Sequence, residues 1–215
     1  MKKNIFFLCL ASITLSGFCD TTRNCTTRHA SKPIEKAKAL TCFCWHPVAT
    51  FGNIIATGDT TGTVTIWDWE TGTTICSIQT ESPIVHAIAF CHVCENVIAI
   101  GGNNRTVELW DWKAHVCLKK VTLPEIQNAK NHDAITILSW HPQIPKTLLL
   151  GTSNEQTVYI CDVPKALWKK LKSDSGTINY AAWHPTRQEC VVTISNIITT
   201  WNWQKEVPIA LNIRP

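Results

Sequence analysis

The tryptophans of this chain are spaced at regular intervals, and that spacing limits the folds available to it. Six of the ten tryptophans fall on two recurring positions, and three more, Trp69, Trp112 and Trp203, follow the second position by two residues. The first position opens a Trp-His-Pro triplet or its variant, and it is occupied in turn by Trp45, Phe90, Trp140 and Trp183. The second closes a polar and β-branched run, and it is occupied by Trp67, Trp110, Cys161 and Trp201. Successive first positions are 45, 50 and 43 residues apart, so the chain is a tandem repeat of four units.

Each unit is composed of short runs rich in Val, Ile, Thr and Trp, the residue types that favour β-strands. The order within a unit is an alternating strand, a turn, an apolar strand, a tight polar turn and a strand that ends near Trp-Asp. No amphipathic helix interrupts this order. Periods of ~40–45 residues are typical of four-stranded propeller blades, whereas helical solenoids repeat at ~33–34 residues. Consecutive apolar residues such as Leu148–Leu150 indicate strands covered on both faces. We therefore predict an all-β fold, a β-propeller of four-stranded antiparallel blades with four blades visible.

These residues resemble the WD-repeat β-propeller family over roughly residues 38–213. Residues 58–68, Gly-Asp-Thr-Thr-Gly-Thr-Val-Thr-Ile-Trp-Asp, give the closest match. The third unit departs from the family pattern with Cys161-Asp162, and the fourth departs with Trp201-Asn202. The expected structural anchors of the repeats are Trp45, Trp67, Asp68, Trp110, Asp111, Trp140, Asp162, Trp183 and Trp201.

Four blades stand at the lower limit of the ~4–8 blades found in closed propellers. An open arc would expose an apolar face at each end, larger than soluble monomers usually tolerate. Three arrangements remain open: a small closed ring, an open arc that self-associates, or a truncated copy of a longer propeller. Homo-oligomerisation is thus one of the expected properties of the chain.

The N-terminus has the three-part form of a secretory signal peptide. Lys2 and Lys3 precede an apolar stretch, and small residues at Gly17 and Cys19 suit cleavage after Cys19. The apolar stretch is too short for a stable membrane span, which needs ~20 residues. A cleaved signal predicts export to the periplasm or the exterior; without one the chain would be cytoplasmic. The predicted divisions are a signal peptide at 1–19, a polar linker at 20–38 and a propeller domain at 39–215, with units at about 39–82, 83–130, 131–175 and 176–215.

Cysteine and histidine do not form a convincing metal site in the sequence. The chain has 11 cysteines, and nine remain after residues 1–19 are removed. Most lie inside strand runs, which favours small buried side chains over disulfides. Cys91-His92-Val93-Cys94 is half of a zinc motif or a local disulfide, but no second pair completes it. The histidines of the Trp-His-Pro triplets occupy equivalent places in different units and are predicted to be turn residues. No metal and no cofactor are therefore predicted.

Charge and motif content argue against two further classes of function. Loss of Lys2 and Lys3 with the signal lowers the net charge from +4 to +2, too little to indicate a nucleic-acid partner. The sequence has no Gly-x-Ser-x-Gly, phosphate-binding loop or His-Glu-x-x-His motif. No catalytic residue is assigned, and the chain is predicted not to be an enzyme.

The resemblance implies a non-catalytic scaffold whose loops bind other proteins or peptides. The alternatives are an exported propeller enzyme of the hydrolase or lactonase kind and a non-functional remnant of a longer WD-repeat protein. The family's docking face is built from inter-strand and inter-unit loops, which map here to Asp59, Asn104, Arg105, Lys130, His132, Asp133, Asn154 and Glu155. Arg105 and His132 are expected to contribute most to partner binding.

Overall fold

The structure, a computed structural model, describes residues 39–48, 51–94, 96–124, 133–152 and 154–213. The described residues form sixteen β-strands in four antiparallel four-stranded sheets, without an α-helix. Each sheet is a simple meander in which consecutive strands are hydrogen-bonded neighbours. The predicted all-β fold with propeller-like blades is therefore confirmed. The predicted signal peptide and linker lie outside the described residues.

The four blades follow one another along the chain. Blade 1 contains β1 (Leu40–Trp45), β2 (Ile54–Asp59), β3 (Thr63–Asp68) and β4 (Thr73–Gln79). Blade 2 contains β5 (Val85–Phe90), β6 (Val97–Gly102), β7 (Thr106–Asp111) and β8 (Val116–Thr122). Blade 3 contains β9 (Ile135–Trp140), β10 (Thr147–Thr152), β11 (Thr157–Asp162) and β12 (Leu167–Lys172). Blade 4 contains β13 (Tyr180–Trp183), β14 (Cys190–Ile194), β15 (Ile198–Asn202) and β16 (Val207–Ile213).

The core consists of three apolar layers, each between two successive blades. Blades 1 and 2 meet around Ile66, Ile98 and Trp112. Blades 2 and 3 share a second layer around Val107 and Leu150, and a third layer joins blades 3 and 4. Every residue of β10 is buried, as expected of a strand covered on both faces. The described strands of blades 1 and 4 form no comparable interface, so within the described residues the four blades make an open arc.

The meander gives the arc two functionally distinct edges. The upper face holds the turns between the second and third strands of each blade and the connections from one blade to the next. The lower face holds the turn after the first strand and the turn between the third and fourth strands. Each first strand lies on the inner side of its blade. It runs from the upper to the lower face, because its first residues pair with the last residues of the second strand, as Leu40 pairs with Asp59.

The Trp-Asp anchors stabilise the blades by hydrogen bonds as well as by packing. The indole N–H of Trp67 donates to Thr57 Oγ1 at 2.9 Å, and that of Trp201 donates to Thr193 Oγ1 at 2.9 Å. In blade 2 the indole of Trp110 instead donates to Glu108 Oε2 at 2.9 Å. Cys161 takes this place in blade 3 as a buried thiol. The bonds of Trp67 and Trp201 join neighbouring strands of one blade and so help hold them in register, whereas the bond of Trp110 lies within β7.

The aspartates of the anchors stabilise the lower-face turns that follow them. Asp68 Oδ1 accepts from the backbone N–H of Thr71 at 3.1 Å, and Asp111 Oδ1 accepts from that of Ala114 at 2.9 Å. Asp162 makes the same bond in blade 3, at 3.3 Å to Lys165 N. These side chains satisfy backbone donors that the turn leaves without a strand partner. In blade 4, Asn202 Oδ1 accepts the same kind of turn hydrogen bond, from the backbone N–H of Lys205, which explains why Trp-Asn can replace Trp-Asp there.

Candidate functional site

A β-bulge recurs at the same place in the first strand of three blades. The pairing of β1 shifts between Leu40 and Cys42, and that of β5 shifts between Val85 and Ala87. The pairing of β9 shifts between Ile135 and Ile137. The extra residues at these shifts are Thr41, His86 and Thr136. Bulges redirect side chains and are common beside functional sites, so this repeated irregularity marks the upper ends of the first strands.

The extra residues lie four positions before the first aromatic anchor of their unit. Asn179 has the same relation to Trp183 in blade 4. All four residues, Thr41, His86, Thr136 and Asn179, line a cavity of about 470 Å³ that runs along the inner side of the arc. We call these four residues the polar rim and the cavity the channel. The polar rim lies at the upper face, where the first strands begin.

An apolar layer lies below the polar rim. It is formed by the residues two positions further along each first strand, Phe43, Ile88, Leu138 and Ala181, which also line the channel. Residues two apart in a strand point the same way, which explains why a polar level is followed by an apolar one. The described lining contains no Asp, Glu, Lys or Arg. The channel is therefore suited to uncharged groups.

Burial favours the neutral forms of two cysteines and one histidine of the lining. Burial raises the pKa of Cys42 to about 12 and that of Cys44 to about 11, so both remain thiols at neutral pH. Burial, and then the nearby His46, lowers the pKa of His92. Because a thiolate is the reactive form of cysteine, these cysteines lack the chemistry of a nucleophile. The geometry supports binding of neutral polar and apolar groups.

The rim side chains differ in how they are held. Thr41 Oγ1 contacts Gly58 O at 3.1 Å and also bonds Val85 O, so it joins blade 1 to blade 2. The side chains of His86, Thr136 and Asn179 make no hydrogen bond to other described residues. Thr136 and Asn179 are exposed. Hydroxyl, imidazole and amide groups both donate and accept, so these three side chains can bond a ligand's backbone amides.

Arg105, which was predicted to contribute most to partner binding together with His132, is buried. Its Nη1 donates to Glu155 Oε1 at 2.6 Å and to Asp133 Oδ2 at 3.2 Å, and its Nη2 donates to Pro124 O at 3.3 Å. The side chains of Arg105, Asp133 and Glu155 are only 8%, 8% and 10% exposed. This cluster joins the β6–β7 turn of blade 2 to two segments of blade 3. We call it the inter-blade clamp, and its geometry supports a structural role.

The clamp is surrounded by further buried polar atoms. Burial lowers the pKa of Arg105, but the hydrogen bond and charge of Glu155, together with the charges of Tyr159 and Asp133, raise it overall. Burial, followed by Glu155, raises the pKa of Tyr159, whose hydroxyl is buried beside this carboxylate. Asn154 Nδ2 donates to Asp133 Oδ1 at 3.0 Å from an exposed position. Among the clamp's neighbours, Asn154 therefore remains available to a partner at the surface.

The other predicted face residues belong mainly to turns. Asp59 is buried, and its Oδ1 accepts from the N–H groups of Thr61 at 2.7 Å and Thr63 at 3.0 Å. Asn104 Oδ1 accepts from Thr106 N at 3.2 Å. Lys130 and His132 lie outside the described residues. Asp59 and Asn104 thus shape the upper-face turns, while the rim residues His86, Thr136 and Asn179 were not among those selected from the sequence.

The histidines of the Trp-His-Pro triplets act as turn residues, as predicted. His141 Nδ1 accepts from Gln143 N at 3.1 Å and Ile144 N at 2.8 Å. His184 Nδ1 accepts from Arg187 N at 3.1 Å. The seven cysteines whose thiols are described are all free, Cys91 and Cys94 among them. In the described ranges, no three His, Cys, Asp or Glu side chains are grouped as metal ligands would be.

Comparison with known proteins places the first blade in a family. A family model described as WD domain, G-beta repeat matches residues 27–68, a segment that ends with Asp68 of β3. A search of curated proteins found no match to the chain. No helix that could cross a membrane occurs in the part of the chain that the structure describes. The match over the first three strands of blade 1 confirms the resemblance there, and the three further meanders have an architecture consistent with WD-repeat blades.

Proposed function

We propose that this chain is a non-catalytic protein-interaction scaffold that binds an uncharged, extended peptide segment at the upper mouth of the channel. WD repeats suggest an interaction scaffold as the kind of domain. The observation that supports the finer proposal is the bulge repeated in three blades, which brings Thr41, His86 and Thr136 to one rim. A rigid scaffold with adaptable polar groups at its upper face is suited to recognition.

The chemistry of the channel specifies the kind of peptide. An apolar side chain of the peptide enters the channel and contacts Phe43 and Leu138. The peptide's backbone amides bond the side chains of His86, Thr136 and Asn179 at the rim. Since the described lining has no Asp, Glu, Lys or Arg, binding depends little on ionic strength at neutral or higher pH. A highly basic or acidic segment is a poor fit, because its charges would lose water without gaining a partner.

The test uses a peptide selected from a random library against the immobilised full-length chain. Its affinity is then measured for two variants by fluorescence polarisation. Thr136→Arg places a long charged side chain at the rim, whereas Thr74→Arg makes the same change at an exposed site on the outer strand β4. We expect at least ~30-fold weaker binding for Thr136→Arg, which is the effect of losing one hot-spot residue. Thr74→Arg should leave the affinity unchanged. Equal affinities of the two variants, or a strong salt dependence, would refute the proposal.

We also propose that the chain is exported, on the basis of residues 1–19. The sequence has the charged, apolar and small-residue regions of a signal peptide. N-terminal sequencing of protein secreted by a suitable host is expected to begin at Asp20. A protein that retains Met1–Cys19 and stays in the cytoplasm would contradict export, without bearing on the binding site.

A further inference from the structure

Successive blades are joined by a contact that recurs along the chain. In blade 1, His46 follows the first strand and its ring lies 4.7 Å from Phe90 and 6.2 Å from Trp112 of blade 2. In blade 3, His141 lies 4.5 Å from Trp183 and 6.2 Å from Trp203 of blade 4. In both cases the histidine of one blade covers an aromatic pair of the next.

A hydrogen bond accompanies this packing. The indole N–H of Trp140 donates to Ala89 O of blade 2 at 3.0 Å, and that of Trp183 donates to Ser139 O of blade 3 at 3.2 Å. The acceptor is each time the carbonyl one residue before the aromatic anchor of the preceding blade. One side of a blade interface thus supplies a carbonyl and commonly a histidine, and the other supplies an aromatic pair.

Blade 1 presents the aromatic side of such an interface to solvent. Trp45 and Trp69 form an edge-to-face pair with ring centroids 5.9 Å apart. The pair of blade 4, buried Trp183 and partly buried Trp203, has the same edge-to-face arrangement at 5.8 Å. Yet Trp45 and Trp69 are each 48% exposed, whereas Trp183 is 8% exposed. No strand within the described ranges packs on this pair as blade 3 packs on blade 4.

Blade 4 presents the opposite side. His184 follows Trp183 as His141 follows Trp140, and its Nδ1 accepts from the same kind of turn N–H. It is less buried than His141 because no described blade lies beyond it. The carbonyl of Ala182 stands where that of Ser139 stands in blade 3. The two ends of the arc therefore carry the two halves of one interface that the chain already forms internally.

We propose that two copies of this chain associate head to tail, with blade 4 of each copy covering Trp45 and Trp69 of the other. His184 then packs on the tryptophan pair, and the indole N–H of Trp45 donates to Ala182 O of the other copy. A second copy is the occupant because it continues the blade interface with the residues that already form it. Contacts at both ends close a two-fold ring of eight blades, within the ~4–8 blades of closed propellers.

The test is the mass of the full-length chain in solution, measured by light scattering and sedimentation at roughly 1–100 µM, a range that spans dissociation constants of moderate affinity. We expect a discrete dimer. Trp69→Glu puts a charge on the blade 1 face, and His184→Asp puts one on the blade 4 face while keeping an acceptor for the turn N–H groups. Each variant should raise the dissociation constant at least ~100-fold, as expected of a buried aromatic anchor. Leu118→Glu, at an exposed apolar residue of the outer strand β8, is the matched control and should remain dimeric.

Mixing the two variants distinguishes this geometry from other dimers. In a mixed pair, the intact blade 4 of the Trp69→Glu chain meets the intact blade 1 of the His184→Asp chain, so one normal interface is restored. Dimer should therefore reappear on mixing but not in either variant alone, with circular dichroism confirming that both fold. A monomeric wild-type chain, open-ended growth, a dimer insensitive to both variants, or no recovery on mixing would each overturn the proposal.

Discussion

Replacement of Arg105 by alanine tests the structural role of the inter-blade clamp. The guanidinium is almost fully buried and bonds two carboxylates, Asp133 at 3.2 Å and Glu155 at 2.6 Å. Removal of Arg105 leaves both carboxylates in a site of low dielectric without their counter-charge. Breaking a buried ion pair in this way typically costs about 3–5 kcal/mol, far more than the pair's net contribution relative to an apolar replacement. We expect a loss near 4 kcal/mol in the free energy of unfolding.

A loss of about 4 kcal/mol is large against the 5–15 kcal/mol of a typical domain. For a urea dependence of about 2 kcal/mol per molar, the unfolding midpoint falls by about 2 M. Arg105 also has a left-handed backbone, with φ of 54°, so its substitution needs a control for backbone strain. Lys146 has φ of 60° and an exposed side chain, and Lys146→Ala should change stability by less than about 1 kcal/mol.

The assay is urea unfolding monitored by tryptophan fluorescence and circular dichroism. A double variant, Arg105→Met with Glu155→Gln, removes opposite charges together and should be less destabilised than the two single changes added. The coupling is expected to be about 1–3 kcal/mol. Equal midpoints for Arg105→Ala and Lys146→Ala, or strict additivity in the double variant, would refute a buried clamp and favour an exposed binding role for Arg105.

Three further changes test the turns, the anchors and the buried thiols. Gly102→Ala places a methyl group 2.0 Å from Ser82 Oγ, so we expect a loss of about 3 kcal/mol in thermal or urea unfolding. Trp201→Phe removes the indole bond to Thr193 and should cost about 1–2 kcal/mol, with an unchanged far-UV spectrum. Burial raises the pKa of Cys42 to about 12, so its alkylation at pH 8 should need unfolding, as mass spectrometry can show. The pKa of Cys42 is higher in the folded state than in the unfolded state, so the neutral thiol's contribution to the free energy of unfolding is complete below about pH 9 and is lost as the pH rises towards 12. Cys42→Ser should reduce this alkaline loss of stability, as measured by urea unfolding.

The blades could be predicted from the sequence because their determinants are local. Strand residues alternate, turns contain Gly, Asn or Asp, and the aromatic anchors fix the period. The pattern persists to the last blade, whose outer strand β16 occupies Val207–Ile213. Substitution at an anchor did not obscure the pattern, since Cys161 keeps the buried place of the tryptophan and Asn202 keeps the turn bond of the aspartate.

The polar rim could not be selected from the sequence, because it depends on strand pairing. His86 and Thr136 stand in strands whose neighbours are apolar, and only the bulges bring them to the channel. A weak signal was present: both residues, like Thr41 and Asn179, lie four positions before an aromatic anchor. Aligning the units on that anchor would have revealed a polar position common to all four.

The burial of Arg105 could not be predicted from the sequence for a related reason. A residue in a tight turn is usually exposed, and arginine is common among the hot-spot residues of protein interfaces. Its burial here results from the adjacent blade, whose Asp133 and Glu155 approach from 28 and 50 residues along the chain. Such distant partners cannot be identified from local pattern alone.

Hydrogen–deuterium exchange of the full-length chain with and without a selected peptide tests the proposed binding site most directly. Bound peptide should slow exchange at the starts of the four first strands, residues 39–41, 84–86, 134–136 and 177–179, which surround the polar rim. The lower-face turns at 51–53 and 141–146 should exchange at unchanged rates. Slowed exchange confined to the lower face or to the outer strands would contradict binding at the upper mouth of the channel.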